Sequence, residues 1–185
     1  MVCGSWASAV VRSGGHLERI GGIGEQARPR PRYIAFAIAK GDRAELIVQK
    51  LTEIGADRIT PMVTERTVVR LDEQHAAKRD ERWRRVVREA TMQSRRVWLP
   101  VLDPVTSFET VAARPGACLA VLDGGDPVTA GIGPILIGPE GGWSDSERLR
   151  PLCRVSLGEQ VLRTETAAVV SCALAVDARR RNVAE

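Results

Sequence analysis

A chain of 185 residues, 44% hydrophobic and 27% charged, suits one ordinary domain and is too apolar to be disordered throughout. Aromatic residues make up only 4%, so the core is aliphatic and base-stacking platforms are scarce. With 27 Lys and Arg against 23 Asp and Glu, the net charge of +4 permits a nucleic-acid partner without demanding one. The four cysteines (Cys3, Cys118, Cys153, Cys172) show no CxxC spacing and imidazoles occur only at His16 and His75, which excludes a zinc cluster and predicts free thiols in a reducing cytoplasm. No apolar run approaches the roughly 18 residues of a membrane span, and no secretory h-region is visible, so a cytoplasmic location is expected.

In chain order, residues 1–31 are punctuated by Gly4, Gly14, Gly15, Gly21, Gly22 and Gly24 and closed by Pro29 and Pro31. This composition reads as an arm, a linker or the remnant of an N-terminal domain, with at most one short strand at Val10-Val11. Residues 32–185 form the second unit. An apolar run at 33–39 predicts a buried strand. Asp42 then opens a helix whose Leu46, Ile47, Lys50, Leu51 and Ile54 fall at helical spacing, and Gly55 stands where such a helix ends. Residues 59–63 are the next strand, so strand, helix and strand predict a right-handed parallel crossover.

A polar-edged, β-branched stretch at 64–71 leads into a long helix that starts at Asp72 or Glu73 and reaches about Arg95. Trp83, Val86, Val87 and Ala90 form its apolar stripe. A strand at 98–102, a short helix at 107–114 and a buried strand at 117–122 follow, the last ending at Asp123-Gly124-Gly125. Then come a strand at 135–137, a helix near Ser144, a strand at 153–157 and a C-terminal helix from Thr164 to about Val176. That last helix is small and apolar nearly all round, which predicts burial on most faces. The class is α/β with a mainly parallel sheet.

Two stretches carry chemistry. The first reads Ile135-Leu-Ile-Gly-Pro-Glu-Gly-Gly-Trp-Ser144; it joins a strand to a helix yet is neither a GxGxxG fingerprint nor a P-loop. Its glycines permit close backbone approach and positive φ, Pro139 stiffens the turn, and Ser144 with Glu147 fits a capping box. The second reads Leu157-Gly-Glu-Gln-Val-Leu-Arg-Thr-Glu-Thr-Ala167, with Thr164 as a credible N-cap. Apolar strands ending in glycine mark the edge where open α/β sheets bind ligands, and two such edges so close together predict one pocket built from two loops.

These two stretches resemble the RsmE-type family of the SPOUT methyltransferases. Two further blocks carry the likeness, Gln49-Lys-Leu-Thr-Glu-Ile-Gly55 with Thr64-Glu-Arg-Thr67, and residues 85–96 ending in Gln93-Ser-Arg-Arg96; the likeness covers roughly residues 32–182. The resemblance implies a sheet closed by a C-terminal trefoil knot, a homodimer, S-adenosylmethionine as cofactor and methylation of N3 of one uridine in the 16S RNA of the small ribosomal subunit. It places cofactor contacts at Leu136, Ile137, Gly138, Pro139, Glu140, Gly141 and Gly142 on the first loop. On the second it places them at Leu157, Gly158, Val161, Leu162, Thr164, Thr166 and Ala167.

Attack by uracil N3 requires removal of its proton and stabilisation of the resulting anion. Arg163 is the expected stabiliser, and Glu140 or Glu165 the expected base. Arg66, Arg70, Arg82, Arg85, Arg88, Arg95 and Arg96 are the expected phosphate contacts to RNA, supplying affinity without sequence information. Two departures from the family pattern stand out. Gln160 occupies a position where the family has Arg, and residues 1–31 are too short and glycine-rich for the family's N-terminal PUA-like barrel. Two other readings remain at this point: a SPOUT enzyme acting on another RNA position such as a ribose 2′-hydroxyl, or a catalytically silent RNA-binding or ribosome assembly factor.

Overall fold

The computed structural model describes residues 3–11, 17–27, 31–39, 41–68 and 73–183, and side chains within 31–39, 41–68 and 76–181. Strands β1 (Cys3–Val11) and β2 (Leu17–Ala27) pair antiparallel, with a register shift between Ala7 and Ala9. The stretch read as an arm with one short strand therefore carries a two-stranded ribbon. Ladder bonds join backbone groups, so glycines that blur any side-chain periodicity do not prevent the pairing.

The remaining strands are β3 (Tyr33–Ala37), β4 (Arg58–Val63), β5 (Val101–Leu102), β6 (Thr106–Ser107), β7 (Cys118–Val121), β8 (Asp126–Pro127), β9 (Ile135–Ile137) and β10 (Cys153–Ser156). They form one sheet in the order β5-β4-β3-β9-β7-β10-β8, with β6 also on β4, and every pairing is parallel. The chain winds outward from β3 through β4 to β5, crosses to β7, and later inserts β9 between β3 and β7. Residues 98–100, read as strand, lie outside β5, and the two-residue strands β6 and β8 carry no periodicity a sequence could show.

Strand alternation sorts the core into two layers. Ile34, Phe36, Ile135 and Ile137 face one cluster, together with residues of helices α1 (Arg43–Ile54), α2 (Glu73–Gln93) and α5 (Thr164–Val183). Ala35, Leu119 and Leu136 face the other, with Phe108 and Val111 of α3 (Phe108–Ala112) and Trp143 just before α4 (Asp145–Arg148). Fully burying one such large side chain contributes on the order of 1.5–3 kcal/mol.

On α1 the buried face is Ala44, Ile47, Val48, Leu51 and Thr52, whereas Leu46 is 44% exposed, so the stripe is rotated from the expected one. Gly55 ends α1 in the left-handed conformation, at φ 118°, and donates its N–H to the Leu51 carbonyl. Trp83, Val87 and Ala90 on α2 are buried as their spacing requires.

The thiols correct one expectation. Cys118 and Cys153 are register partners on adjacent parallel strands, with Cα atoms 4.5 Å apart, and a disulfide joins them. Thirty-five residues of sequence separation hide that proximity. Cys172 is free and buried, and burial pushes its thiol up to about 12. The side chain of Cys3 lies outside the described residues. Among the described residues no helix is long and apolar enough to cross a membrane.

Candidate active site

Three neighbouring strand ends open onto one cavity of about 450 Å³, within the usual size range of small-molecule sites. Ile137 to Glu140 leave the end of β9, Leu119 to Asp123 run along β7 and past it, and Leu157 to Leu162 follow β10. The start of α5 closes the back through Thr164 and Ala167, one turn apart on the same helix face.

The first loop is locked from several sides. Gly142 donates to the Pro139 carbonyl at 2.8 Å, closing a tight turn that puts Gly142 at φ 70°. A side chain there would be strained by conformation rather than by crowding, because no atom lies within 4 Å of a Cβ at Gly142. Gly138 is small for a different reason: a Cβ there would sit 3.1 Å from the indole of Trp143. That indole donates to the Ala120 carbonyl at 2.9 Å and packs against Phe108 with ring centroids 5.5 Å apart, tying the loop to β7 and α3.

Ser144 and Glu147 form the expected capping box. The buried Glu147 carboxylate does more: Oε2 accepts from the Ser144 N–H at 2.9 Å and Oε1 from the Glu65 N–H at 3.0 Å. It thus clamps the turn after β4 onto the first loop. Arg66 donates to the Gly141 carbonyl at 3.0 Å, and Arg43 of α1 pairs with Glu140. Hydroxyl bonds from Ser146 and Ser144 hold the Glu65 carboxyl below the usual carboxylate range.

The second loop is looser. Gly158, at φ 137°, and Glu159, Gln160 and Val161 are all exposed, and the Ser156 hydroxyl and Gly158 backbone share long 3.4 Å bonds. One strap joins the loops: Thr164 Oγ1 donates to the Gly138 carbonyl at 3.0 Å. Thr164 is therefore the first helical residue and spends its hydroxyl on the neighbouring loop, not on an N-cap bond.

Of the residues expected at a ligand, Ile137, Gly138, Pro139, Glu140 and Gly142 line the cavity from the first loop, and Leu157, Gly158, Val161, Leu162, Thr164 and Ala167 from the second. Leu136, Gly141 and Thr166 do not. Strand alternation turns Leu136 into the other core layer, Gly141 faces Arg66 and a second cleft, and Thr166 points to solvent on the far side of α5. Sequence reasoning missed the third edge, Leu119 to Asp123, together with Trp143, Arg148 and Arg154 on the cavity wall; Gln160, noted as a departure from the family pattern, also lies there. The apolar run closing at Asp123-Gly124-Gly125 was the available signal, since it has the same form as the other two strand ends.

Glu140 lies on the wall shared by the main cavity and the second cleft, of about 60 Å³, which Arg66, Val68 and residues 37–39 also line. Glu165 is half-buried, and its Oε2 is buried with no hydrogen-bond partner among the described residues. Arg163 is exposed and lies outside both cavities.

The basic residues divide. Arg88 and Arg95 are exposed, Arg95 with φ 54° at the end of α2; Arg82 pairs with Glu45 and Asp42, and Arg85 reaches Glu89 at 3.9 Å. Arg96 is not a surface residue: its side chain is 12% exposed and donates to the Thr52 carbonyl and to Asp57, because the chain doubles back past the end of α1. Arg70 lies outside the described residues.

A family model described as an RNA methyltransferase domain matches residues 26–176. This chain belongs to the RNA methyltransferase family. Within the family it is similar to ribosomal RNA small subunit methyltransferase E of Synechocystis, 36% identical over an alignment of 163 positions that covers 78% of this chain and 52% of the relative. The protein of the same name from Bacillus subtilis is 35% identical, over 73% of this chain and 61% of the relative. The chain thus spans between half and two thirds of the length of these curated relatives.

Among solved structures, a Legionella pneumophila methyltransferase in complex with the bound cofactor SAM aligns with a TM-score of 0.78 and 30% identity, over 95% of this chain and 79% of the other. The ribosomal RNA small subunit methyltransferase E of Neisseria gonorrhoeae bound to S-adenosyl methionine aligns with a TM-score of 0.72 and 29% identity, over 90% and 76%. The parallel α/β sheet expected from the sequence is the fold of these methyltransferases.

Proposed function

We propose that this member of the RNA methyltransferase family uses S-adenosylmethionine to methylate N3 of a uridine in 16S RNA of the small ribosomal subunit, acting in the cytoplasm as a homodimer with a knotted C-terminal segment. The observation that carries the reading is the three-edged cavity, whose lining fits the cofactor chemically. Leu119, Leu157 and Leu162 offer apolar walls for an adenine, and Asp123, a carboxylate just past a strand end, is suited to ribose hydroxyls. Arg148 and Arg154 bring positive charge to the wall for a carboxylate. The likeness to two methyltransferases solved with this cofactor supports the same reading.

When bound, S-adenosylmethionine supplies an electrophilic methyl group on a sulfonium sulfur. The chain's own residues must accept the N3 proton and stabilise the uracil anion. Glu140 stands between the cavity and the smaller cleft, where a base entering beside Arg66 and Val68 would meet it, and the ion pair with Arg43 orients its carboxylate. Glu165 is the second candidate base, with one buried carboxylate oxygen free to accept a proton or a hydrogen bond. Arg163, exposed at the start of α5, is the proposed stabiliser, and it reaches the reacting base from the solvent side as RNA docks. Arg66, Arg82, Arg85, Arg88 and Arg95 supply the proposed phosphate contacts.

Calorimetric titration of the pure protein with S-adenosylmethionine tests the first step, and absence of binding would refute the reading. Mass spectrometry of nucleosides from small subunits treated with enzyme and cofactor tests the second. The expected product is 3-methyluridine; a 2′-O-methylated nucleoside, or RNA binding without turnover, would overturn the assignment. Arg163→Ala is expected to abolish methylation and leave cofactor affinity within about twofold, since its side chain lies off the cavity wall.

A further inference from the structure

The sheet edge opposite the cavity holds a concentration of positive charge that the proposed methyl transfer does not use. Arg32 precedes β3, and its Nε and backbone N–H both donate to Asp57 Oδ2 at 3.0 Å. Arg96, past the end of α2, sends Nη1 to the Thr52 carbonyl at 2.8 Å and Nη2 to Asp57 Oδ1 at 3.5 Å. Both carboxylate oxygens of Asp57 are thereby engaged. The Arg32 and Arg96 side chains are each 12% exposed, so both keep a little contact with solvent.

A third guanidinium belongs to Arg179, fifteen residues and about 22 Å along α5 from Thr164 at the cavity. Its Nη1 is buried with no hydrogen-bond partner among the described residues. Burial and the neighbouring charge of Arg32 both press against its ionisation, and Asp57 only partly offsets them. Burial weighs first on Arg96 as well, with Arg32 and Arg179 adding to it. Arg179 stands two turns beyond Cys172, whose thiol meets the Leu51 carbonyl, on the face of α5 that packs against the end of α1. Two guanidiniums thus hold one committed carboxylate, and the buried Nη1 of the third, from the neighbouring helix, has no partner among the described residues. Buried charge of this kind is stabilised by a matching counter-charge, and guanidinium forks match the oxygens of a tetrahedral oxyanion.

We propose that Arg32, Arg96 and Arg179 form a binding site for a phosphate group, separate from the cofactor cavity and on the opposite edge of the sheet. The three side chains converge from the start of β3, the end of α2 and the second half of α5, so they meet different oxygens of one anion. Exposed Arg180, next to Arg179 in the chain, adds further positive charge near it. The site is independent of the cofactor reading and stands even if the chain transfers no methyl group.

The test is titration of the full chain with inorganic phosphate at constant ionic strength, chloride serving as control, followed by calorimetry and thermal melting. Phosphate is expected to raise the melting temperature of the native chain. Arg179→Gln is expected to bind phosphate at least about tenfold more weakly, and Arg179→Lys, which keeps charge but loses the fork, is expected to fall between. Arg181→Gln, an exposed arginine paired with Asp177, should behave as the native chain.

A ten-nucleotide oligouridylate distinguishes the sources: competition with phosphate identifies an RNA backbone phosphate, and phosphate binding without competition identifies a small free phosphate. Either result upholds the site. Binding no stronger than that of chloride, or unchanged affinity in Arg179→Gln, overturns it. So does phosphate-insensitive melting that depends on protein concentration in the native chain and not in Arg179→Gln, which would assign a carboxylate of a second copy to the cluster. S-adenosylmethionine affinity, measured in the same variants, should not change.

Discussion

The two loops that wall the cavity are built on opposite plans. Residues 138–144 are held by a turn bond, an indole wedged against Gly138, a capping box, a glutamate clamp from Glu147 to Glu65 and two arginine contacts. Residues 158–161 are exposed and, among the described residues, held by little beyond the long Ser156–Gly158 bonds, with Val161 83% exposed although it lines the cavity. A preorganised wall costs little to present to a ligand, whereas an apolar side chain left in water gains most when a ligand covers it. The rigid loop sets the shape of the cavity, and Val161 on the loose one has the most apolar surface left for an occupant to cover.

The sharpest way to break that contrast is to remove the indole. Trp143→Ala should lower stability by about 3–5 kcal/mol in a denaturant melt, since it deletes a buried ring and its bond to Ala120. A loss under about 1 kcal/mol would show that the first loop is held by something else. Next comes Glu147→Ala, which strips the acceptor from two backbone N–H groups and should cost about 2–3 kcal/mol, read in the same experiment.

Gly142→Ala leaves every partner in place but forces a side chain into a left-handed turn, for an expected loss of about 1–2 kcal/mol. The second loop should respond in the reverse sense. Val161→Ala is expected to leave stability within about 0.5 kcal/mol while weakening S-adenosylmethionine binding about 3- to 10-fold, measured by calorimetry.

The smallest effect concerns pH. The Glu65 carboxyl titrates below its usual value of 4.5 because Ser146 and Ser144 bond its ionised form. Its contribution is therefore fully present above that value and is lost as the pH falls through the lowered one. Melting curves between pH 6 and 3 should show a small acid-side loss in the native chain that Ser146→Ala reduces.

Much of this site was visible in the sequence because its parts are local. The Ile135-Leu-Ile run, the glycines after it and the Ser144/Glu147 spacing are each specified within ten residues, and each formed as read. The two-loop cavity followed from strand ends of recognisable form. Thr164 was misread because a threonine at a helix start has a usual local partner; here the Gly138 carbonyl, twenty-six residues away, takes its hydroxyl instead. Arg96 was misread for the same kind of reason. A basic run at the end of a helix normally faces solvent, and only the return of the chain past α1 turns Arg96 inward to Asp57 and Thr52.

The sequence by itself thus determined the parallel α/β class, the helix and strand positions that position the site, and both glycine loops, since periodicity, caps and turns act over one or two turns of chain. Tertiary structure alone decided that β9 inserts between β3 and β7, that β7 contributes Asp123 as a third wall, that Cys118 meets Cys153, and that Arg32 and Arg96 meet at Asp57. Those outcomes depend on which strands become neighbours. Neighbours in a sheet are chosen by how two faces bury together, a property that no single stretch of chain carries.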